Sequence, residues 1–454
     1  MLGFGIFGEK KRRVVEAPGS LRPPQIAFDA EHYPVAPAGL ALEQVHVYVR
    51  HGERTPVGVR LAHAPASIPQ HWMMCRTARQ FQTVVAGTTE DALLRTRKIV
   101  ERPNGTAAPG ECLLGELTDV GRQSTYNFGV FLRKLYIDRL GFLPEILPTN
   151  DQVYFRSTNM PRTIESLQHV IHGLYPTTKC DPNVLPNILV RNGKDENLLG
   201  NTYACKRLEI LQAGFAQAAA KLYNPSLEPL DARLSKYLEG DGVRVDGKPR
   251  ASGIMDTVRA AVAHGIRVPP EFEDTAIVDV IERAVVNEWF ADKTEEVRRL
   301  GMGPLLSDLA RKLQHKADKG AQDPVKILVH STHDTALAAL CSTLDVFDEQ
   351  WPAFTASITF ELFKQTFTGA NTTADGPLSQ TILSSFKSNP HAEHYVRMRY
   401  QNKNLVLPLC AGEGKHLPGS PEFCTLAAFR ERVRDLTPDD FEAACMPAGA
   451  RRTG

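Results

Sequence analysis

A histidine and two arginines stand close together in the segment Arg50-His51-Gly52-Glu53-Arg54. A neutral imidazole can attack phosphorus when its other ring nitrogen is held as a hydrogen-bond donor. Arginine carries a planar fork of N–H donors that matches the oxygens of a phosphate group. The segment therefore predicts a phosphate site in which His51 is the nucleophile and Arg50 and Arg54 are its cationic neighbours.

Two later segments have a similar arrangement, with reactive side chains directly after a predicted strand. The predicted strands cover residues 44–49, 151–155 and 325–330. The first is followed by the histidine segment, the second by Arg156, and the third by Ser331-Thr332-His333-Asp334. Ligands of α/β sheets bind at the carboxyl ends of the strands. We therefore expect one shared site, to which Arg156 would add a third positive charge.

The proposed attack also needs an acid. It would expel an alkoxide, which is a poor leaving group near neutral pH, so a positioned side chain must protonate it. We expect Asp334 to be that acid, although neighbouring arginines favour the ionised form of a carboxyl group. Glu53 is the weaker alternative because it lies inside the predicted turn.

The overall composition excludes a global electrostatic role. The chain has 454 residues, with 53 basic and 52 acidic side chains and a net charge of +1. No large field is available to attract nucleic acid or an anionic membrane, so an anion must be held by a local cluster. No segment approaches the roughly 18 apolar residues that cross a bilayer, so we expect no stable membrane insertion. The sequence does not indicate an oligomeric state.

The remaining elements predict an α/β core that carries an inserted cap. Residues 166–324 are mostly helical in pattern, and two alternating segments, 357–363 and 394–405, are predicted to complete the sheet. The predicted organisation is a flexible leader at 1–40, an α/β core at 41–165 and 325–454, and a mainly helical cap at 166–324. Apolar stripes in the cap, one of them containing Phe215, predict its core first and a lipid-binding groove as the alternative.

The eight cysteines and the histidine pair at 330 and 333 do not match a metal site. No CxxC pair is present, and no carboxylate completes a set with His330 and His333, so we expect no metal. The first residues lack the order of a secretory signal, which favours the cytosol or mitochondrion over secretion and predicts reduced thiols. In an oxidising compartment, Cys410 and Cys424 are the best candidates for a disulfide.

Four separated motifs resemble those of the histidine acid phosphatases, branch 2 of the histidine phosphatase superfamily. They are Arg50-His51-Gly52-x-Arg54-x-Pro56, Leu117-Thr118-x-x-Gly121-x-Gln123, Arg156-Ser157-Thr158 and His333-Asp334. Their order and spacing are similar to those of the family over roughly residues 45–445. The residues after Arg156 look closer to the lysophosphatidic acid phosphatase type than to the secreted phytases.

This resemblance implies a three-layer α/β sandwich with a central mixed sheet, of the phosphoglycerate mutase-like kind, and a helical cap. It implies that His51 accepts the phosphate and that Asp334 donates the proton. The phosphate ligands that it implies are Arg50, Arg54, Arg156 and His333. The expected activity is hydrolysis of a small-molecule phosphate monoester without metal or cofactor.

Two alternatives stay open at this stage. One is a phosphotransferase or mutase that uses the same phosphohistidine, and the other is a non-catalytic phosphoester-binding protein. The physiological ester also stays open among lysophospholipids, inositol phosphates and sugar phosphates.

Overall fold

The computed structural model describes residues 28–76, 80–84, 93–366 and 393–447. Its strands are Leu40–Arg50 (β1), Gln80–Val84 (β2), Leu93–Arg97 (β3), Val100–Glu101 (β4), Ala107–Ala108 (β5), Val153–Ser157 (β6), Ile188–Leu189 (β7), Ile327–Thr332 (β8), Ser357–Gln365 (β9), His394–Tyr400 (β10), Lys403–Leu405 (β11), His416–Leu417 (β12) and Ser420–Thr425 (β13). Its α-helices are Asp119–Arg133 (α1), Pro161–Leu174 (α2), Lys206–Leu227 (α3), Asp231–Leu234 (α4), Ala251–Ala263 (α5), Thr275–Phe290 (α6), Glu295–Gly301 (α7), Gly303–Lys319 (α8), Asp334–Thr343 (α9), Leu426–Asp435 (α10) and Phe441–Ala444 (α11).

Nine strands form one mixed sheet in the order β12-β13-β10-β9-β1-β8-β6-β7, with β11 beside β10. The strands β1, β8, β6 and β7 are parallel, and β9, β10 and β13 continue the sheet in antiparallel pairs. All five predicted strands are present. The one predicted at 394–405 is a hairpin, because the chain reverses at Gln401, which has a positive φ of 55°.

Helices cover both faces of this sheet. Val45, Val47 and Val49 of β1 point to one face, where they pack with α1 and α2. The next residue in the alternation, Tyr48, points to the other face and packs with α8, α9 and α10. Because side chains of a strand alternate between its two faces, one strand contributes to both cores. The predicted three-layer α/β sandwich is confirmed.

The cap of the structure is assembled from two parts of the chain. Helices α5 and α6 share an apolar core with an earlier segment that includes Ile68 and Trp72. The sequence analysis assigned that segment to the α/β core, and the described part of residues 57–112 contains no α-helix. The structure also differs from the predicted cap boundaries at residues 166 and 324. Helix α2 continues through residue 166 as part of the core, and α8, predicted to lie in the cap, packs on the sheet.

The predicted flexible leader is wrong for residues 28–40, and residues 1–27 lie outside the described part. Phe28 and Tyr33 are buried against the face of the sheet that α1 covers. The Tyr33 hydroxyl donates to Oε1 of Glu361 at 3.1 Å. The segment is therefore anchored to the core through these two side chains.

Six of the eight cysteines form disulfides, which contradicts the expectation of reduced thiols. Cys410–Cys424 is the pair that the sequence favoured, and the other two are Cys75–Cys112 and Cys205–Cys445. The bridge from Cys205 joins the start of α3 to the chain after α11. Disulfides are typical of proteins in oxidising compartments.

A fully buried charged network joins β9 to β10. The Glu361 carboxylate accepts hydrogen bonds from Arg397 at 2.7 Å and from Arg399 at 3.0 Å, and all three side chains are 0% exposed. Tyr136 of the π-helical turn after α1 donates to it as well, at 2.9 Å. Burial alone would raise the pKa of Glu361, but Arg399 and Arg397 lower it to about 2.

Replacing Glu361→Gln should lower the free energy of unfolding by about 3–5 kcal/mol, because two guanidinium groups would stay buried without their counter-charge. The pKa of this carboxyl is lower in the folded state than its ordinary value of 4.5. Its contribution is therefore complete above about pH 4.5 and is lost as the pH falls toward 2. Urea unfolding at pH 7 measures the loss.

The control is Glu431→Gln, which removes an exposed ion pair with Lys415. Such pairs contribute about 0–1 kcal/mol. Equal losses in the two variants would contradict a structural role for the Glu361 network.

Candidate active site

Three parallel strands end side by side and deliver the reactive residues to one place. Arg50 of β1 lies opposite Thr332 of β8, and Ser157 of β6 lies opposite Ser331. Past the strand ends, the His51 amide donates to the Thr332 carbonyl at 3.0 Å. The predicted strand exits thus meet at the same edge of the sheet.

The His51 imidazole is held in one tautomer. The ring is 1% exposed, and its Nδ1 lies 2.9 Å from the carbonyl oxygen of Gly52. Because a carbonyl oxygen only accepts, the neutral ring carries its proton on Nδ1 and leaves Nε2 with a free electron pair. Burial lowers the pKa of His51 well below its ordinary range, and Arg50 and Arg54 lower it further.

The second sequence motif supports the turn that holds His51. A Cβ added to Gly52 or to Gly121 would overlap backbone atoms of the other segment, so both positions need glycine. Thr118 caps α1 by accepting a hydrogen bond from the Gly121 amide at 3.3 Å. Glu53, the weaker acid candidate, is hydrogen-bonded to Ser124 of α1.

Arg50 and Arg54 lie on either side of this turn and are paired with carboxylates. Arg50 contacts Asp334 at 2.6 Å and lies over the Phe354 ring, 4.0 Å from its centroid. Arg54 contacts Asp256 of α5 at 2.8 Å. The cap therefore supplies one of the two counter-charges of the site.

The structure does not bring Arg156 together with these residues. Its guanidinium is bonded to Glu196 and to Asn197, the latter at 2.7 Å. Its side chain lies on the face of β6 that α8 covers, where its other charged or polar neighbours include Arg191, Tyr154 and Asp308.

Arg162 takes the place in the site that the sequence gave to Arg156. It lies in the first turn of α2, which begins at the end of β6, and its charge acts on His51, His333 and Asp334. Within the described residues its guanidinium has no hydrogen-bond or ion-pair partner, and its Nε is buried. A helix that starts directly after a strand end is the sequence signal that could have identified it.

His333 and Asp334 stand at the start of α9. His333 Nε2 lies 3.0 Å from the Thr158 hydroxyl, and its ring centroid is 5.6 Å from that of His51. Burial, followed by the charge of Arg162, lowers the pKa of His333 to about 4. Burial raises the pKa of Asp334, but Arg50 and Arg54 outweigh it and the net direction is downward.

These charges make the site ready for an anion. Three guanidinium groups face two carboxylates, so one positive charge is in excess before a ligand arrives. The Nε atoms of Arg50, Arg54 and Arg162 are buried and lack hydrogen-bond partners among the described residues. An unpaired buried donor is costly, and phosphate oxygens would satisfy it.

Two cavities open from this cluster, and both are lined by Asp334 and Trp289. One, of about 500 Å³, is basic and includes Arg60 and Lys248. The other, of about 610 Å³, runs between α3, α6, α7 and α9 and is lined by apolar side chains together with charged ones such as Glu209, Arg250 and Asp292. Its large apolar side chains are Met160, Leu199, Phe215, Trp289, Phe290, Val297 and Met302.

Neither a metal site nor a membrane-spanning helix is present in residues 28–76, 80–84, 93–366 and 393–447. No cluster of three or more His, Cys, Asp or Glu side chains there could hold a metal ion. No helix in the same ranges is long and apolar enough to cross a membrane. His330 packs its ring on Tyr48, 4.5 Å between centroids, on the face of β8 that α8 covers.

His51 should remain neutral when the solution is acidified from pH 8 to pH 5, because its pKa is lowered. The unfolded chain takes up a proton on this residue near pH 6.5, so acidification below about 6.5 should cost folding stability at this position. The ring carbon signal of ¹³C-histidine-labelled protein, assigned by its absence in His51→Gln, measures the charge. Half-protonation between pH 6 and 7, as in the urea-unfolded chain, would contradict the geometry described above.

Comparison with known proteins places this arrangement in a family. Residues 41–401 match the model of the histidine phosphatase superfamily, branch 2. A probable acid phosphatase of Schizosaccharomyces pombe is 37% identical over an alignment of 444 positions, which covers 90% of this chain and 95% of that protein. Human lysophosphatidic acid phosphatase type 6 is 29% identical over 344 residues, 73% of this chain and 76% of the human protein.

Solved structures show the same fold. The apo form of Hafnia alvei phytase superposes with a TM-score of 0.55 at 17% identity, over 91% of this chain and all of that one. The phytase of Citrobacter braakii gives a TM-score of 0.55 at 15% identity, over 89% of this chain and 99% of the phytase. With the family match and the shared fold, this chain is a phosphoric monoester hydrolase that belongs to branch 2 of the histidine phosphatase superfamily.

Proposed function

We propose that this chain hydrolyses phosphate monoesters through a phosphohistidine on Nε2 of His51. The observation that carries the proposal is the imidazole with a fixed Nδ1 proton beside three arginines that keep unpaired Nε donors. A phosphate held by those donors would present its phosphorus to the free Nε2 electron pair. Positioning and charge neutralisation would supply most of the rate.

The reaction would take two displacements. In the first, the Nε2–phosphorus bond forms while the phosphorus–oxygen ester bond breaks, and Asp334 gives its proton to the departing oxygen. In the second, Asp334 takes a proton from water as the water oxygen attacks phosphorus, and the bond to His51 breaks. Inorganic phosphate leaves, and both side chains return to their starting protonation.

Arg50, Arg54 and Arg162 would bind the phosphate oxygens in this scheme, with His333 beside them. Arg162 is the strongest candidate because it has no competing partner among the described residues, whereas Arg156 is engaged by Glu196. This assignment replaces the role that the resemblance gave to Arg156.

Asp334 must be protonated to act as the acid, yet Arg50 and Arg54 favour its ionised form. A bound phosphate would compete with Asp334 for the N–H groups of Arg50, because both are anionic acceptors for the same donors. Losing that pair would raise the pKa of Asp334 in the complex. Low pH would raise the protonated fraction in the same direction.

His51→Ala should abolish turnover of an alkyl phosphate, and Asp334→Asn should lower its kcat by about 10²–10⁴-fold, because the leaving oxygen then lacks its proton donor. His315→Ala, at an exposed position on α8, is the control and should match the parent protein. Rapid quenching in alkali with ³²P-labelled ester should trap label on the parent chain and none on His51→Ala. Full activity of His51→Ala would contradict the phosphohistidine.

The fate of the same ³²P label distinguishes hydrolysis from the two alternative functions, phosphotransfer and binding without catalysis. A phosphotransferase or mutase would deliver the label to an added acceptor alcohol in preference to water. A non-catalytic binding protein would retain phosphate without turnover.

We propose that the ester carries an apolar group. The cavity beside His333 and Asp334 is lined by Phe215, Trp289 and Phe290. Its lining extends from α9 to α3. Burying apolar surface there is favourable by roughly 25 cal/mol per Å². Relatives named lysophosphatidic acid phosphatase fit this chemistry.

A small polyanionic ester is the second candidate, and the basic cavity is the observation that favours it. Arg60 and Lys248 line that cavity without an ion-pair partner in the described residues. An ester with a second phosphate could reach them from the central site.

Phe215→Asp should lower the ratio of kcat/KM for a long-chain lysophosphatidic acid to that for glycerol phosphate by about tenfold, because a charge replaces apolar contact along the cavity. Leu222→Asp is the control on the same helix, since Leu222 is 70% exposed and does not line the cavity. If Arg60→Ala alters bisphosphate hydrolysis while Phe215→Asp leaves the chain-length ratio unchanged, the polyanionic substrate is favoured instead.

A further inference from the structure

The carboxyl group of Asp334 is held by a tryptophan that the sequence did not single out. The indole Nε1–H of Trp351 donates to Asp334 Oδ2 at 3.0 Å, and Arg50 contacts the same oxygen at 2.6 Å. The other oxygen, Oδ1, accepts the Thr335 amide at 2.8 Å. The plane of the carboxyl group is therefore fixed from both sides.

Trp351 is fixed in turn by the cap. Its backbone amide donates to Glu282 of α6 at 2.8 Å, and Glu282 is paired with Arg259 of α5 at 2.7 Å. Its ring packs against Phe290, with 5.4 Å between centroids, and edge-on against Trp289. The indole therefore has a position set by two cap helices.

The residues that follow Trp351 reach the rest of the site. The Pro352 carbonyl accepts a hydrogen bond from Arg50 at 2.7 Å, and the Phe354 ring lies under the same guanidinium. The Thr355 amide donates to the His51 carbonyl at 3.3 Å. We call residues 351–355 the strap, because this short segment contacts the nucleophile, a phosphate ligand and the acid.

We propose that Trp351 is a positioning residue for the general acid: its indole N–H holds the Asp334 carboxyl in the orientation that serves the leaving oxygen. The proposal rests on the role proposed above for Asp334. When phosphate draws Arg50 away, Trp351 remains as the donor to Oδ2 and keeps the group from rotating.

Trp351 should also influence when Asp334 takes up its proton, because an N–H donor stabilises the ionised carboxyl. The charged and titratable groups around Asp334 come from the strand ends, from the starts of α2 and α9, and from cap helix α5. They are Arg50, Arg54, Arg162, Asp256 and His333. Removing the indole N–H while those groups stay in place isolates its contribution.

The test is Trp351→Phe, which keeps an aromatic ring and removes the N–H. With an alkyl phosphate, kcat should fall about tenfold, a fraction of what a general acid contributes, while KM stays within about twofold. The alkaline limb of the kcat profile should move up by about one pH unit, the shift expected from losing one hydrogen bond to a charged group. With p-nitrophenyl phosphate, whose leaving group needs little protonation, kcat should change far less.

Phe347→Leu is the matched control. Phe347 packs in the same aromatic cluster, 5.5 Å from Phe290 between centroids, and does not contact Asp334. It should leave the alkaline limb and the leaving-group dependence where they are. Glu282→Gln weakens the contact to the Trp351 backbone but keeps the indole. It should shift the alkaline limb and the leaving-group dependence by less than Trp351→Phe does. This variant replaces Trp351→Phe as the test if that protein fails to fold.

The outcomes separate this inference from the proposed function. If Asp334→Asn loses alkyl phosphate activity but Trp351→Phe and Glu282→Gln behave like Phe347→Leu, the positioning role is overturned and the proposed function stands. If Asp334→Asn itself shows no dependence on the leaving group, both are overturned.

Discussion

Two backbone hydrogen bonds just beyond the central strands set the geometry on which the site depends. The His51 amide is bonded to the Thr332 carbonyl, and the Thr158 amide is bonded to the Ser331 carbonyl. They continue the parallel pairing of β1, β8 and β6 past the strand ends, so three distant parts of the chain keep one register. A slip by one residue would turn the side chains of that strand to the opposite face. Because each strand is buried on both sides, that slip is strongly disfavoured.

The charges at these strand ends are balanced within the site. A protein with a net charge of +1 has no long-range field to gather a dianion, so the arginines must be concentrated locally. Concentrating them has a cost, since burial disfavours each charge and like charges repel. Asp334 and Asp256 offset that cost, and each of them pairs with an arginine that also has an unpaired donor. The site is thus stable without ligand and still attractive to one.

The features that the sequence predicted were those that depend on local pattern. β1 and the predicted strand exits follow from alternation and from the residues that come next, and the glycine motif follows from close backbone approach. Local pattern could not show whether Arg156 or Arg162 lies beside His51. That depends on the face of β6 to which the Arg156 side chain points and on the direction of α2. The second part of the cap and two of the three disulfides depend on contacts between distant segments, for which a single sequence has no signal. The attachment of residues 28–40 to the core also depends on such contacts, through Tyr33 and Glu361.

The cap does more than cover the sheet, because it reaches the reactive groups through specific contacts. Asp256 of α5 pairs with Arg54, and Glu282 of α6 holds the backbone of Trp351. The same helix α6 carries Trp289, which lines both cavities. A group bound in either cavity would contact the helix whose Glu282 accepts a hydrogen bond from the Trp351 amide, and the Trp351 indole in turn donates to Asp334. In the proposed mechanism Asp334 is the general acid, and small displacements of such a group have large effects on rate, so substrate binding in the cap would then influence proton transfer.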